Sequence, residues 1–406
     1  MKLLKLYSQF YIKKFINLLN TEAIPLEIVD LSGKVYKTAS NSISHRLIIK
    51  DPRFFKSLHS PNALSLGEAY IKEYFDIEGD VRTLYTMLHD RILNTEQKKN
   101  KLTSFIKSFV DVRQKEKENI EYHYDAPSTF YRIFLGRTMG YTCGYYPDQT
   151  TTMSEAQERK MDIICKKLKL KKGEHLLDVG CGWGNFAIYA AEHYGVTVTG
   201  ITLSEEQKIY ADKLVEASQL SVSIKIMNYR DLPLNYYDKI SCIGMSEHVG
   251  QKHMQEFFNT IYKTLKQGGL FLHHSITTNT KRQKGLENSF LNKYMYPGGE
   301  LMFEHDLVKC AEIANFELLN AENFRPHYVT TLNDWIDRIE DRKSDILNVI
   351  SEQVYRIYHT FFIGSAASFK LKEISLFQNL FYKTSVYDTD NYFNSICDYS
   401  PSKPKL

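Results

Sequence analysis

Apolar residues in this chain come in short runs set between stretches with helical spacing. Past residue 120 the alternation is regular. Apolar runs near 175–179, 196–201, 222–227, 238–244 and 269–275 read as strands, with a late pair near 316–323 and 373–383. Strand and helix in alternation predict a mostly parallel, doubly wound α/β sheet. Residues 1–110 form a smaller α+β unit, with strand-like pieces at 26–29 and 46–49 and helical patterns at 66–74 and 81–93. Residues 111–119 are almost wholly polar and read as a linker. The second domain then spans 120–388, and the polar tail at 389–406, with Pro401 and Pro404, reads as loose. Between the late strand pair, Leu332, Trp335, Ile336, Ile339, Ile346, Leu347, Ile350, Val354, Ile357, Tyr358, Phe361 and Phe362 recur at helical spacing. This helical insertion stands outside the sheet layers. It either covers the end of the sheet where a ligand would lie or packs plainly on the core.

Residues 176–184 read Leu-Leu-Asp-Val-Gly-Cys-Gly-Trp-Gly, an apolar strand running into alternate glycines and then a helical pattern. Such a turn lets backbone approach a nucleotide-like ligand closely. A dinucleotide site wants an acid about 20 residues further on for the ribose. Here the next strand ends Thr202-Leu203-Ser204, and Glu205 and Glu206 fall in the following helix, with Ser204 as its N-cap. The dinucleotide reading weakens. The glycine string is similar to the first motif of S-adenosylmethionine-dependent methyltransferases.

Composition is ordinary for a globular protein, at 43% hydrophobic and 25% charged, but 28 Tyr and 23 Phe are many. They fit either an aromatic core or a large apolar substrate site. Six cysteines, at 143, 165, 181, 242, 310 and 397, form no Cys-x-x-Cys pair, so a metal or redox site is not expected and a reducing compartment is. There is no signal-peptide pattern and no apolar run of about 18 residues to span a membrane. Charge is uneven: residues 1–120 carry 20 Lys/Arg against 14 Asp/Glu, the remainder 32 against 34. The first twenty residues hold four lysines and no acid, and Leu3, Leu6, Phe10 and Lys14, flanked by Tyr7 and Tyr11, give an amphipathic helix. It suits an anionic membrane surface, or packing on its own domain, or both.

Four polar residues share a topological address. Glu247 follows one predicted strand and His274 closes the next, so both face the crevice at the strands' carboxyl ends. Cys143 precedes the sheet, and Tyr328 precedes the insertion. Taken singly, each also has a plain structural reading: a capping Glu, a hydrogen-bonded core His.

Together with other strings they resemble the cyclopropane-fatty-acyl-phospholipid synthase family, which includes the mycolic acid cyclopropane synthases. The resemblance runs over about 115–385. It is carried by His123-Tyr124-Asp125, Tyr141-Thr142-Cys143, the glycine motif, Thr202-Leu203-Ser204-Glu205-Glu206-Gln207, Tyr229-Arg230-Asp231, Glu247-His248-Val249-Gly250, His274-Ser275-Ile276, Asn292-Lys293-Tyr294-Met295-Tyr296-Pro297-Gly298 and His327-Tyr328. Leu66-Gly67-Glu68-Ala69-Tyr70 extends it loosely into the N-terminal unit, and that unit favours the phospholipid branch.

The resemblance implies a class I methyltransferase sheet with a helical insertion over the active site. It implies S-adenosylmethionine as co-substrate, bound by Tyr141, Thr142, Asp178, Gly180, Cys181, Gly182, Trp183, Gly184, Thr202, Leu203, Ser204, Gln207, Asn228 and Tyr229. It implies methylene transfer to a cis alkene of a phospholipid acyl chain, through a carbocation deprotonated by a bound bicarbonate. Cys143, Glu247, His274, Tyr328 and the backbone of Ile276 would hold that ion, with Tyr124 and Tyr141 near the reacting centre. It implies a homodimer on a phospholipid bilayer, cytoplasmic and peripheral at the inner face, with no nucleic-acid partner. Where relatives carry a Cys, this chain has Ser365, which excludes a thiol role there; Thr142 replaces a common Ser. Two rivals stay open: a relative that stops at a methyl branch or methylates a small amine, and a non-catalytic lipid binder.

Overall fold

The computed structural model describes residues 2–40, 44–59, 61–93, 126–280, 290–296 and 299–384. Packing divides the chain into two compact units. One comprises residues 1–109, 284–297 and 332–372; the other comprises 110–283, 298–331 and 373–406.

The first unit holds a four-stranded sheet of β1 (Glu27–Val29), β2 (Val35–Lys37), β3 (Arg46–Ile49) and β4 (Phe75–Glu78), in the order β2-β1-β3-β4. Only β1 and β3 run parallel. The helix Lys2–Thr21 buries Ile12, Phe15, Ile16 and Leu19 against Leu26, Ile28, Phe54 and Phe55. Phe10, Lys13 and Lys14 stay exposed on its other side. The helix Ala63–Ile71 starts earlier than its apolar spacing suggests, because Asn62 and Ser65 form a capping box. It stops before residue 74, where Glu73 takes a φ of 57°. The helix Glu352–Lys370 packs on Ala63–Ile71 and on Val81–Leu88. Tyr70 bonds His359 Nδ1 at 3.0 Å, and Arg356 reaches Asp76 at 2.8 Å. Residues 332–372 therefore complete the core of the N-terminal unit. The expected linker at 111–119 lies outside the described residues.

The second unit is built on β5 (His175–Val179), β6 (Thr197–Thr202), β7 (Val222–Ile226), β8 (Tyr237–Ile243), β9 (Leu265–Thr278), β10 (Glu317–Asn323) and β11 (Ile374–Tyr382). Their order is β10-β11-β9-β8-β5-β6-β7. The five from β9 to β7 are parallel, and β11 inserts antiparallel between β9 and β10. Apolar clusters lie on both faces. One joins β8 and β9 to the helices Met254–Thr264 and Glu304–Ile313; the other joins β5 and β6 to Met153–Lys167 and Asn185–Tyr194. This is the doubly wound sheet that the alternation predicts. The order reverses between β5 and β8, which opens a crevice at their carboxyl ends. β9 begins at Leu265, ahead of the predicted 269, because the strand passes through Gly268 in a left-handed conformation (φ 74°) and shifts register against β8.

Candidate active site

The chain leaves β5 through the glycine turn. Gly180 has a φ of 75°, and a Cβ there would sit 2.4 Å from Met245 Cγ, so glycine is required by packing. Gly182 also has a positive φ, of 54°, but a Cβ there would meet no atom within 4 Å. Its freedom from protein neighbours leaves room for a ligand. The amides of Gly180 and Cys181 both donate to Ile201 O at 2.9 Å, which ties the turn to β6.

The cleft around this turn has two lobes that share Gly180, Gly182, Gln207 and Gly244. One, of about 670 Å³, is mainly apolar: Val179, Ile201, Leu203, Met227, Met245 and Val249 line it with Thr202, Asn228, Tyr229 and His248. The other, of about 690 Å³, is mixed, and Tyr141, Thr142, Gln157, Lys160, Asp178, Cys181, Trp183 and Asn185 line it. Of the residues expected to bind the co-substrate, Gly184 and Ser204 line neither lobe. Gly184 sits at the N-terminus of Asn185–Tyr194, and Ser204 caps Glu205–Ser218 by accepting from Gln207 N at 3.3 Å. Both act through the backbone they shape. Thr202 Oγ1 donates to Gln207 Oε1 at 2.7 Å, fixing that amide at the cleft wall. Trp183 packs against Tyr131 and Tyr210, and Tyr131 and Phe134 contact Tyr141.

Charges in the mixed lobe are strained by burial. Asp178 accepts from Ser241 Oγ at 2.9 Å, and burial pushes its carboxyl up to about 7. Lys160 Nζ donates to Thr142 Oγ1 at 2.8 Å, and burial pulls the amine down to about 8.

Glu247 sits in the turn Ser246–His248 after β8, and Ile276 lies near the end of β9. Glu247 Oε1 accepts from Ile276 N at 2.7 Å, while Oε2 has no hydrogen-bond partner among the described residues. Burial raises this carboxyl to about 7. Two residues back, His274 is 1% exposed. Gln378, its partner in β11, donates through Nε2 to His274 Nδ1 at 3.1 Å. The imidazole then carries its hydrogen on Nε2, a buried donor with no partner among the described residues. Burial and the charges of Lys160 and Lys167 keep it neutral. Cys143 is fully buried, 3.1 Å from Gly144 O and 3.9 Å from Phe324 O, and burial holds it as the thiol. The Phe324 ring lies edge-on to His274, centroids 5.9 Å apart, and Phe324 O accepts from Tyr328 N at 3.1 Å. Phe324 thus bridges Cys143, His274 and Tyr328, while Glu247 joins through Ile276 rather than by bonding His274. Tyr124 lies outside the described residues. Lys160, Gln378 and Phe324 were not singled out by sequence. Lys160 reads there as one more helix lysine, and Gln378 finds His274 only once the register of β11 is known.

Residues 111–379 match the family described as mycolic acid cyclopropane synthetase. A protein of Pseudomonas putida named "Probable fatty acid methyltransferase" is 32% identical over 346 residues, 82% of this chain and 86% of that protein. The cyclopropane-fatty-acyl-phospholipid synthase of Escherichia coli is 31% identical over 343 residues, with the same coverage of 82% and 86%. The crystal structure of mycolic acid cyclopropane synthase CmaA1, complexed with SAH and CTAB, is 31% identical and has a TM-score of 0.62. The match covers 65% of this chain and 97% of that one.

Proposed function

The chain belongs to the mycolic acid cyclopropane synthetase family and is an S-adenosylmethionine-dependent methyltransferase acting on lipids, and we propose that its reaction adds a methylene across cis double bonds of phospholipid acyl chains. The observation that carries this reading is the group of buried Cys143, His274 and Tyr328 around Phe324 with the Glu247 carboxyl on Ile276 N, Cys143 following the lobe residue Thr142 and Glu247 preceding the lobe residue His248. Bound S-adenosylmethionine would supply the electrophilic methyl, and bicarbonate the base that takes the proton.

The chain's own residues prepare for each part. The apolar lobe suits an adenine, and the open face over Gly182 admits it. The alkene is a weak nucleophile, so positioning must supply much of the rate. A cation on the acyl chain is quenched by water, and Tyr141 and Trp183, which line the mixed lobe with Tyr131 and Phe134 packed behind them, offer rings that stabilise positive charge without attacking it. A protonated Cys143 does not compete as a nucleophile. The Nε2–H of His274 is a donor suited to an anion. Glu247 orders the backbone at Ile276 and keeps one oxygen available for a protonated oxyanion. In this reading Tyr124 joins the aromatic wall. The protein acts as a homodimer at the inner face of a bilayer, to which the exposed Phe10, Lys13 and Lys14 lend affinity.

The name of the Pseudomonas relative favours a second reading, methylation without ring closure. Mass spectrometry of lipids from cells expressing the chain separates the two. Unsaturated chains that gain the mass of one methylene and lose the alkene support cyclopropanation. The same gain with the alkene retained supports the methyl branch, and no change counts against both.

A further inference from the structure

The N-terminal unit holds a hollow of about 720 Å³, within the size range of small-molecule sites. It belongs to that unit alone. The helices Lys2–Thr21, Ala63–Ile71, Val81–Leu88 and Glu352–Lys370 wall it together with β3 and β4. Phe15, Leu47, Leu66, Phe75, Leu84 and Ile363 give it its character, and among the described residues no Asp, Glu, Lys or Arg lines it. The polar groups on one wall are engaged with the protein: Tyr70 bonds His359 Nδ1 at 3.0 Å, and His359 Nε2 lies 2.7 Å from Glu340 Oε1. Leu66, Tyr85 and Leu88 are only part-buried, which leaves a way in.

Protein interiors pack densely, and a void this large lowers stability unless something fills it. Water is a poor filler where few polar atoms are free to hold it. The hollow therefore calls for an apolar occupant. A second observation narrows the class. The helix Lys2–Thr21 lends Phe15 to the lining, and on the same helix Lys13 and Lys14 are exposed. Cations beside an apolar slot match a molecule with an anionic head and a hydrocarbon tail. We propose that the hollow takes one acyl chain of a bilayer phospholipid, whose phosphate Lys13 and Lys14 attract. This is a lipid site apart from the glycine cleft, built by the N-terminal unit from its own residues. The inference rests on the chain acting on lipids. It gives that unit a hold on single lipid molecules in addition to the charge on its first helix.

The test uses the full chain and vesicles of a monounsaturated phosphatidylglycerol. They carry a little phosphatidylglycerol with two saturated chains, one of them ending in a diazirine. Saturated chains offer no alkene to the reaction. Light expels dinitrogen, and the carbene left behind inserts into a neighbouring bond. Peptide mass spectrometry should find adducts on residues 63–88 and 359–363. Ala63→Leu with Thr360→Leu narrows the hollow. Thr360 Oγ1 is buried without a hydrogen-bond partner among the described residues, so its replacement breaks no bond. Adducts in the two segments should then fall roughly 10-fold, the worth of about two displaced methylenes. The melting temperature should hold or rise, as it does when a void is filled. Lipid adducts elsewhere on the wild type with none in these segments would overturn the proposal, and that result needs no variant to fold. Undiminished adducts in a folded double variant would overturn it as well. So would labelling of the hollow by a free fatty acid with the same diazirine but not by the phospholipid. A chain that takes no label anywhere would instead remove the lipid reading beneath it.

Discussion

At the scale of single residues, Glu247 is the most exposed to test. It sits in a turn that any capping glutamate could occupy, and its bond to Ile276 N gives it a structural task as well. Glu247→Gln keeps the shape and removes the charge. S-adenosylmethionine binding should stay near the wild-type level, and lipid turnover should fall by at most about 10²–10⁴-fold, the usual contribution of a positioned base, here one whose setting Glu247 helps to order. Cys143→Ser should cost less, since a hydroxyl still donates. Radiolabelled methyl incorporation measures both, and full activity in Glu247→Gln would remove it from the mechanism. Asp178 makes a separate statement about stability. Its folded carboxyl titrates near 7 because of burial, above its ordinary value. The unfolded chain loses this proton first as pH rises, so stability is highest below the unfolded value and declines until pH passes about 7. The full effect is on the order of 4 kcal/mol. Thermal unfolding of Asp178→Asn from pH 4 to 8 should show a flatter profile than the wild type; parallel profiles would contradict the burial argument.

At the scale of elements, legibility followed length and context. The strands β5 to β8 were readable to within a residue or two, because each is a short stretch of apolar residues, adjacent in β5 and alternating with polar ones in β6 and β7, set between helical patterns. The three-residue β2 and four-residue β4 were not, because so few residues carry no period. The start of β9 was hidden in Lys266-Gln267-Gly268-Gly269, which reads as a turn and is a strand with an irregular register. The glycine turn was legible as a motif, yet its residues divide by role only in three dimensions. Gly180 meets Met245, whereas Gly182 meets open space. Gly182→Val should therefore cost about 1–2 kcal/mol in backbone strain and place its side chain in the cleft. Calorimetry should find S-adenosylmethionine binding lost with the melting temperature only modestly lowered. Unchanged affinity would remove the turn from the binding site. Lys160 shows the opposite limit: helical spacing says where a lysine lies on a helix, not that the neighbouring sheet buries it.

At the scale of the whole molecule, the apolar stripe over 332–363 was legible as helix but not as a partner of the N-terminal unit, because spacing reports a buried face and not what covers it. The same holds for the first helix. Ile12, Phe15, Ile16 and Leu19 serve its own core, which leaves the basic outer face for a surface. No described helix is long and apolar enough to cross a membrane. Binding to vesicles should rise with anionic lipid and fall with salt, since exposed charge is screened over about 10 Å at 0.1 M ionic strength. Lys13→Gln with Lys14→Gln should weaken it in a sedimentation assay. Indifference to both lipid charge and salt would leave apolar contact as the only force.

The central claim is ring closure on an unsaturated phospholipid. Purified protein should be incubated with S-adenosylmethionine, bicarbonate and vesicles of a cis-monounsaturated phospholipid, and the recovered lipid examined by proton NMR. The account predicts loss of the vinyl signal and growth of the upfield methylene signal of a cyclopropane, with slower conversion when bicarbonate is removed. A vinyl signal that persists beside a new methyl resonance, or lipid that returns unchanged, would contradict it.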